Sequence, residues 1–194
     1  MNETAESLYV NGPWVWKCRD VSFIKTLSVS ETLSVHSEAT KNLPAVINYF
    51  IPNSKSVPYL NSKVILNFNI RNAGNIENSA FEGSRIKGHL DLSNTGSIGA
   101  SAFANCSRLT SLNIGNGVTS ISSLAFSSCA NLRTVIIGDN VAVIYNDAFK
   151  SCPFKVLHIG RSVTFAQNTI QFSSVGGSQV EKITVSKGYH SPYT

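Results

Sequence analysis

Ile98-Gly99-Ala100-Ser101-Ala102-Phe103-Ala104-Asn105-Cys106-Ser107-Arg108-Leu109-Thr110-Ser111-Leu112-Asn113-Ile114 decides the fold, because the chain repeats it. Shifted by 23 residues, Ile98, Ala102, Phe103, Cys106, Leu109, Leu112 and Ile114 become Ile121, Ala125, Phe126, Cys129, Leu132, Val135 and Ile137. Six of the seven are identical and the seventh exchanges Leu for Val. A further shift gives Ile144, Ala148, Phe149 and Cys152, then, with one residue lost, Phe154, Leu157 and Ile159. Weaker copies extend upstream through Ile76-Ala80-Phe81, Val57 and Val35, and downstream through Phe165 to Val185. The units end at residues 29, 51, 70, 92, 114, 137, 159 and 185, which counts eight turns with steps of 19 to 26 residues.

Each unit has two halves. The Leu-x-Ile ending alternates apolar and polar residues, which suits a short strand with one buried face. Gly115-Asn116-Gly117 and Gly138-Asp139-Asn140 follow such endings with turn-forming residues. The Ile-x-x-x-Ala-Phe-x-x-Cys half places apolar residues at spacings of 4, 1 and 3, which predicts a short helical or 3₁₀ turn facing inward. One unit cannot bury its apolar face alone, so units must stack around a shared core. The expected architecture is an α/β repeat: a leucine-rich-repeat solenoid with short parallel strands on one face and helical or 3₁₀ turns on the other. Strands of neighbouring coils should lie about 4.8 Å apart.

Ala102-Phe103-Ala104-Asn105-Cys106-Ser107-Arg108-Leu109 and Ala125-Phe126-Ser127-Ser128-Cys129-Ala130-Asn131-Leu132 resemble the BspA-like leucine-rich repeats. The resemblance is specific over residues 98–159, fair over 65–97 and 160–189, and thin before 65. It implies a right-handed curved solenoid, display at the cell surface or by secretion, and adhesive binding to host or extracellular-matrix protein or glycan. It implies no catalytic residues and no cofactor.

With 194 residues, 42% of them hydrophobic and 14% charged, the chain has enough apolar material for one sizeable core. The solenoid is expected over residues 21–189. Residues 1–20, with Trp14-Val15-Trp16, form either a cap on the first coil or a degenerate repeat. A short tail follows at 190–194, and the expectation is either that the last coil is cut short there or that Tyr189 folds back over it as a small lid. No apolar run reaches the roughly 18 residues of a membrane span, and Met1-Asn2-Glu3-Thr4-Ala5-Glu6 does not open a signal peptide. The net charge is +5, but the sixteen Lys and Arg are scattered singly along the sequence. Nucleic acid is therefore not expected as a partner.

Cys106, Cys129 and Cys152 share one repeat position and should stack on successive coils. Their spacing is no zinc pattern, and Ser84 fills the same slot upstream, so the expectation is a ladder of buried, reduced thiols. A disulfide between adjacent coils stays sterically open. Cys18 lies outside the ladder. His36, His89, His158 and His190 show no metal-like spacing. Neither a nucleophile elbow, a phosphate loop nor a dinucleotide fingerprint occurs, and no metal site is expected. Asn2-Glu3-Thr4 and Asn105-Cys106-Ser107 fit the glycosylation pattern, the second as a by-product of the repeat.

The residue between the two inward strand positions of each unit should point outward. That row reads Ser28, Phe50, Asn69, Asp91, Asn113, Ile136, His158 and Thr184, and the parallel row two residues earlier reads Thr26, Asn48, Asn67, His89, Ser111, Thr134, Val156 and Lys182. Most are small and uncharged. Phe50, Ile136 and Val156 are apolar where solvent is expected, and exposed apolar clusters often mark binding sites. Phe50 can equally be covered by another segment. The candidate contact residues on the strand face are Phe50, Asn69, Asp91, Asn113, Ile136, Val156 and His158. The function expected is a non-enzymatic protein-binding module of a cell-surface or secreted protein, with a structural spacer as the alternative.

Overall fold

A computed structural model describes residues 70, 74–164 and 180–189 with their side chains, together with the backbone of 7–10, 26–29, 48–50, 56–57, 67–69 and 165. Trp14, Trp16, Cys18, His36 and His190 lie outside the described residues.

The Leu-x-Ile endings form the long strands. β1 (Ser7–Val10), β2 (Thr26–Val29), β3 (Asn48–Phe50), β4 (Ser56–Val57) and β5 (Asn67–Asn69) are followed by β6 (Asn75–Ile76), β7 (Gly88–Asp91) and β8 (Leu109–Ile114). Then come β9 (Ser120–Ile121), β10 (Thr134–Ile137), β11 (Val143–Ile144), β12 (Val156–Ile159), β13 (Thr164–Phe165) and β14 (Lys182–Val185). All described pairings are parallel. One sheet runs β7-β8-β10-β12-β14, and a second runs β1-β2-β3-β5. β1 is a strand that the repeat count did not include.

The register matches the rows read from the sequence. Asp91 pairs with Asn113, Asn113 with Ile136, Ile136 with His158, and His158 with Thr184. Further upstream Ser28 pairs with Phe50 and Phe50 with Asn69. Leu112, Ile114, Val135, Ile137 and Leu157 are fully buried on the inner face, as period-two alternation requires.

The opposite side differs from the expected helical turns: no helix occurs among the described residues. The apolar Ile opens that half with a short strand. β9, β11 and β13 pair in a second ladder, which single bridges at Ile76, Ile98 and Ile121 extend. Two turns follow. Ser101, Leu124 and Asp147 have φ near +60°, and four residues later so do Asn105, Ser128 and Ser151. A left-handed residue every fourth position interrupts any right-handed helix.

The hydrogen bonds show what replaces it. Ser101, Phe103 and Asn105 donate their N–H groups to the carbonyls of Ser123, Ala125 and Ser127 on the next coil, at 3.1, 2.7 and 2.8 Å. The residues between them donate three back within their own coil: Ala102 to Gly99, Ala104 to Ser101 and Cys106 to Phe103. The coil above repeats the arrangement with Leu124, Phe126 and Ser128. Every second peptide thus closes a turn and the others tie coil to coil, so the buried backbone stays paired.

The core lies between the two sides. Phe81, Phe103, Phe126 and Phe149 stack with centroids 5.2, 5.2 and 5.3 Å apart, and Phe154 meets Phe149 edge-on. Beside them Ala80, Ala102, Ala125 and Ala148 are wholly buried. Close stacking also accounts for the glycine after β8, β10 and β12: a Cβ on Gly138 would lie 2.6 Å from the Gly115 carbonyl carbon.

Candidate binding face

The outward row becomes a surface of alternating character. At β7 and β8, Asp91 Oδ1 accepts hydrogen bonds from the Ser93 amide at 3.0 Å, the Ser93 hydroxyl and Asn113 Nδ2. Asn113 Nδ2 also donates to Ser93 Oγ. At β12 and β14, His158 bonds Thr184 Oγ1 through Nδ1 at 2.9 Å and Ser186 Oγ through Nε2 at 3.1 Å. Ile136 sits between these two polar clusters, 42% exposed. Val156 pairs with Thr134, so it lies diagonal to Ile136, and it is half-buried. By backbone register Phe50 pairs with Asn69 in the separate β1-β2-β3-β5 sheet.

At the C-terminal ends of these strands lies an open depression of about 420 Å³, whose walls include Asn113, Asn116, Ile136, Asp139, His158 and Ser186. The turns there interlock. Asn116 Oδ1 accepts the Asp139 amide at 2.8 Å, and Asp139 Oδ1 accepts the Arg161 amide at 3.0 Å. The Arg161 guanidinium completes an ion pair with Asp139 at 2.8 Å. Hydrogen bonds from Ser186 and then Arg161 hold the Asp139 carboxyl down at about 2.

The cysteine ladder is buried. Cys106, Cys129 and Cys152 are free thiols, and each Sγ donates to a carbonyl of the preceding coil: Phe81 at 3.3 Å, Phe103 at 3.2 Å and Phe126 at 3.0 Å. Ser84 fits the same slot because it too is a small donor, and its hydroxyl lies 3.3 Å from Cys106 Sγ. Burial pushes the Cys106 thiol up to about 11, which leaves almost no nucleophilic thiolate near neutrality. Among the described residues no group of three His, Cys, Asp or Glu side chains could hold a metal ion. Nor is any described helix long and apolar enough to cross a membrane.

Two features escaped the sequence reading. Leu124 and Tyr145 are exposed on the side away from the long strands, at 39% and 47%. At the N-terminal ends of the strands a second, larger groove of about 710 Å³ is lined by Lys87, Gly88, Arg108, Thr110, Asn131 and Arg133. Folding the Lys and Arg positions onto the repeat would have hinted at this groove. Their spacings of 21 and 25 residues, however, fit no single repeat slot.

Tyr189 is half-buried and donates its amide to the Ser186 carbonyl at 3.1 Å. Ile183 and Val185, at inward positions of β14, stay 53% and 51% exposed.

No curated protein and no solved structure matches the chain. A sequence model of the BspA type leucine rich repeat region, however, matches residues 58–175 in six copies, more than half of the chain. With the stacked phenylalanines, the buried Ala and Cys ladders and the parallel strands in register, that match shows that this chain belongs to the BspA-type leucine-rich-repeat family.

Proposed function

We propose that the chain is a non-enzymatic binding module whose strand face adheres to an extracellular protein or glycan. Repeats of this family suggest protein interaction and are typical of surface proteins. The observation that carries the reading is the row itself: exposed Ile136 stands between the Asp91-Ser93-Asn113 and His158-Thr184-Ser186 clusters. An apolar anchor inside a polar rim resembles the core-and-rim arrangement of protein interfaces. The strands hold this surface ready-made, so little ordering accompanies binding. Val156 extends the proposed contact area on this sheet, and Phe50 and Asn69 on the β1-β2-β3-β5 sheet add to it.

The experiment measures binding of the full chain to immobilised matrix proteins and glycans, then repeats it with the Ile136→Asp/His158→Asp double variant. The expected result is saturable binding to at least one of them, weakened about tenfold or more by the variant. Because Ile136 is exposed and His158 points outward, melting should change little. Silence across the panel, or unchanged binding by the variant, overturns the reading.

Exposed Ile183 and Val185 favour a second reading, in which the solenoid is a spacer. The inward positions of β14 would then stack against a further module, as one coil stacks on the next.

A further inference from the structure

The Lys and Arg that stand singly in the sequence are brought together by the fold at one edge of the sheet. Lys87, Arg108 and Arg133 lie on three successive coils around the groove at the N-terminal ends of β7, β8 and β10, and Lys155 follows on the next coil. Backbone bonds fix this succession. Gly88 N–H donates to Arg108 at 3.1 Å, Arg133 N–H to Thr110 at 2.8 Å and Lys155 N–H to Arg133 at 2.8 Å. Lys155 is ion-paired with Glu181, but Lys87, Arg108 and Arg133 are ion-paired to no described residue. Lys87 and Arg108 are exposed and Arg133 is half-buried.

Coils repeat at about 4.8 Å, well inside the Debye length of about 8 Å at physiological salt. The cations therefore act as one line of positive potential, and an open groove concentrates that field. The charges are spread along three coils instead of converging on one point, which suits an extended polyanion better than a small anion. Thr110 and Asn131 stand among them as hydrogen-bonding groups.

We propose that this groove binds a sulfated or uronic-acid-rich linear polysaccharide running across the strands, coil by coil. Arg guanidinium forks pair bidentately with sulfate or carboxylate oxygens, while Thr110 and Asn131 meet the sugar hydroxyls. Single-stranded nucleic acid fits less well, because among the described residues no aromatic side chain lines the groove to stack a base. An acidic peptide fits less well too. The amides of Gly88, Arg133 and Lys155 are already engaged from coil to coil, which leaves them unable to pair with an added strand.

The test titrates the full chain into a labelled heparin octasaccharide at two salt concentrations. Uncharged dextran, a single-stranded oligonucleotide and a poly-glutamate peptide of equal charge serve as competitors. Two variants remove the same charge: Lys87→Gln/Arg108→Gln in the groove, and Lys150→Gln/Lys187→Gln elsewhere. Saturable, salt-sensitive binding is expected, weakened about tenfold or more in the groove variant and less than about twofold in the other. Absence of binding by the folded chain, equal loss in both variants, or tighter binding of oligonucleotide or peptide overturns the proposal. Ile136 and His158 are untouched by these variants, so the outcome is separate from that of the strand-face test.

Discussion

The long strands and the turns opposite them face the same constraint: each buried peptide must find a hydrogen-bond partner. The strands meet it by pairing only with neighbouring coils, which leaves every second side chain free to point outward and to vary. Asp91, Asn113, Ile136, His158 and Thr184 share one register and almost no chemistry. The turns meet it by alternating bonds within a coil and between coils, which requires left-handed residues at two fixed places and small or flat side chains between them. There Ala, Phe and Cys recur almost unchanged. Family identity is thus written on the turn side, and the variation on the strand side.

The sharpest way to break this contrast is Phe126→Ala. Phe126 lies between Phe103 and Phe149, so the substitution opens a void in the middle of the stack and should lower stability by about 3–5 kcal/mol. Chemical denaturation measures it, and a loss as small as that of an outward strand residue would contradict the contrast.

A second prediction uses pH. Cys106 is pushed up to about 11 by burial, and Cys129 is raised by its neighbour Cys152 and by burial. The folded state holds these protons more tightly than the unfolded chain does, so the stabilisation is present below about pH 9 and is lost as pH rises toward about 11. Melting temperature followed over that range should fall more steeply for the natural chain than for Cys106→Ser, a residue the slot already accepts as Ser84. Equal slopes would show that the thiol is accessible to water.

The smallest expected effect is a gain. Leu124 holds φ near +60°, where its coil neighbours have Ser101 and Asp147. Leu124→Asn should stabilise by about 1 kcal/mol, because Asn tolerates the left-handed region that Leu resists. A loss in thermal denaturation would mean that the exposed Leu124 side chain has a packing role.

Much of this was legible beforehand. Residues 98–159 gave the strand rows, their register and the burial of the Ala, Phe and Cys positions, because an alternating pattern leaves one choice of inner face. The turn side was misjudged for a definite reason. Apolar spacings of 4, 1 and 3 suit a helix and a pair of linked turns equally well, and only backbone conformation separates them. Gly83 and Asn105, at one repeat slot, hinted at left-handed backbone, but Ser128 and Ser151 in the same slot obscured it. The basic groove is obscured in the sequence because Lys87, Arg108 and Arg133 occupy different repeat slots and meet only when the coils are superposed.

The coil-to-coil hydrogen bonds also bear on mechanics. They point along the solenoid axis, so a pull on its two ends stretches the bonds lengthwise at every coil boundary in series. Coils coupled only to their neighbours would then peel off singly, each releasing a slack of about 22 residues, on the order of 70 Å of extended chain. A chain anchored at one end and attached to a partner at the other would lengthen in steps under load, and its remaining coils would stay folded.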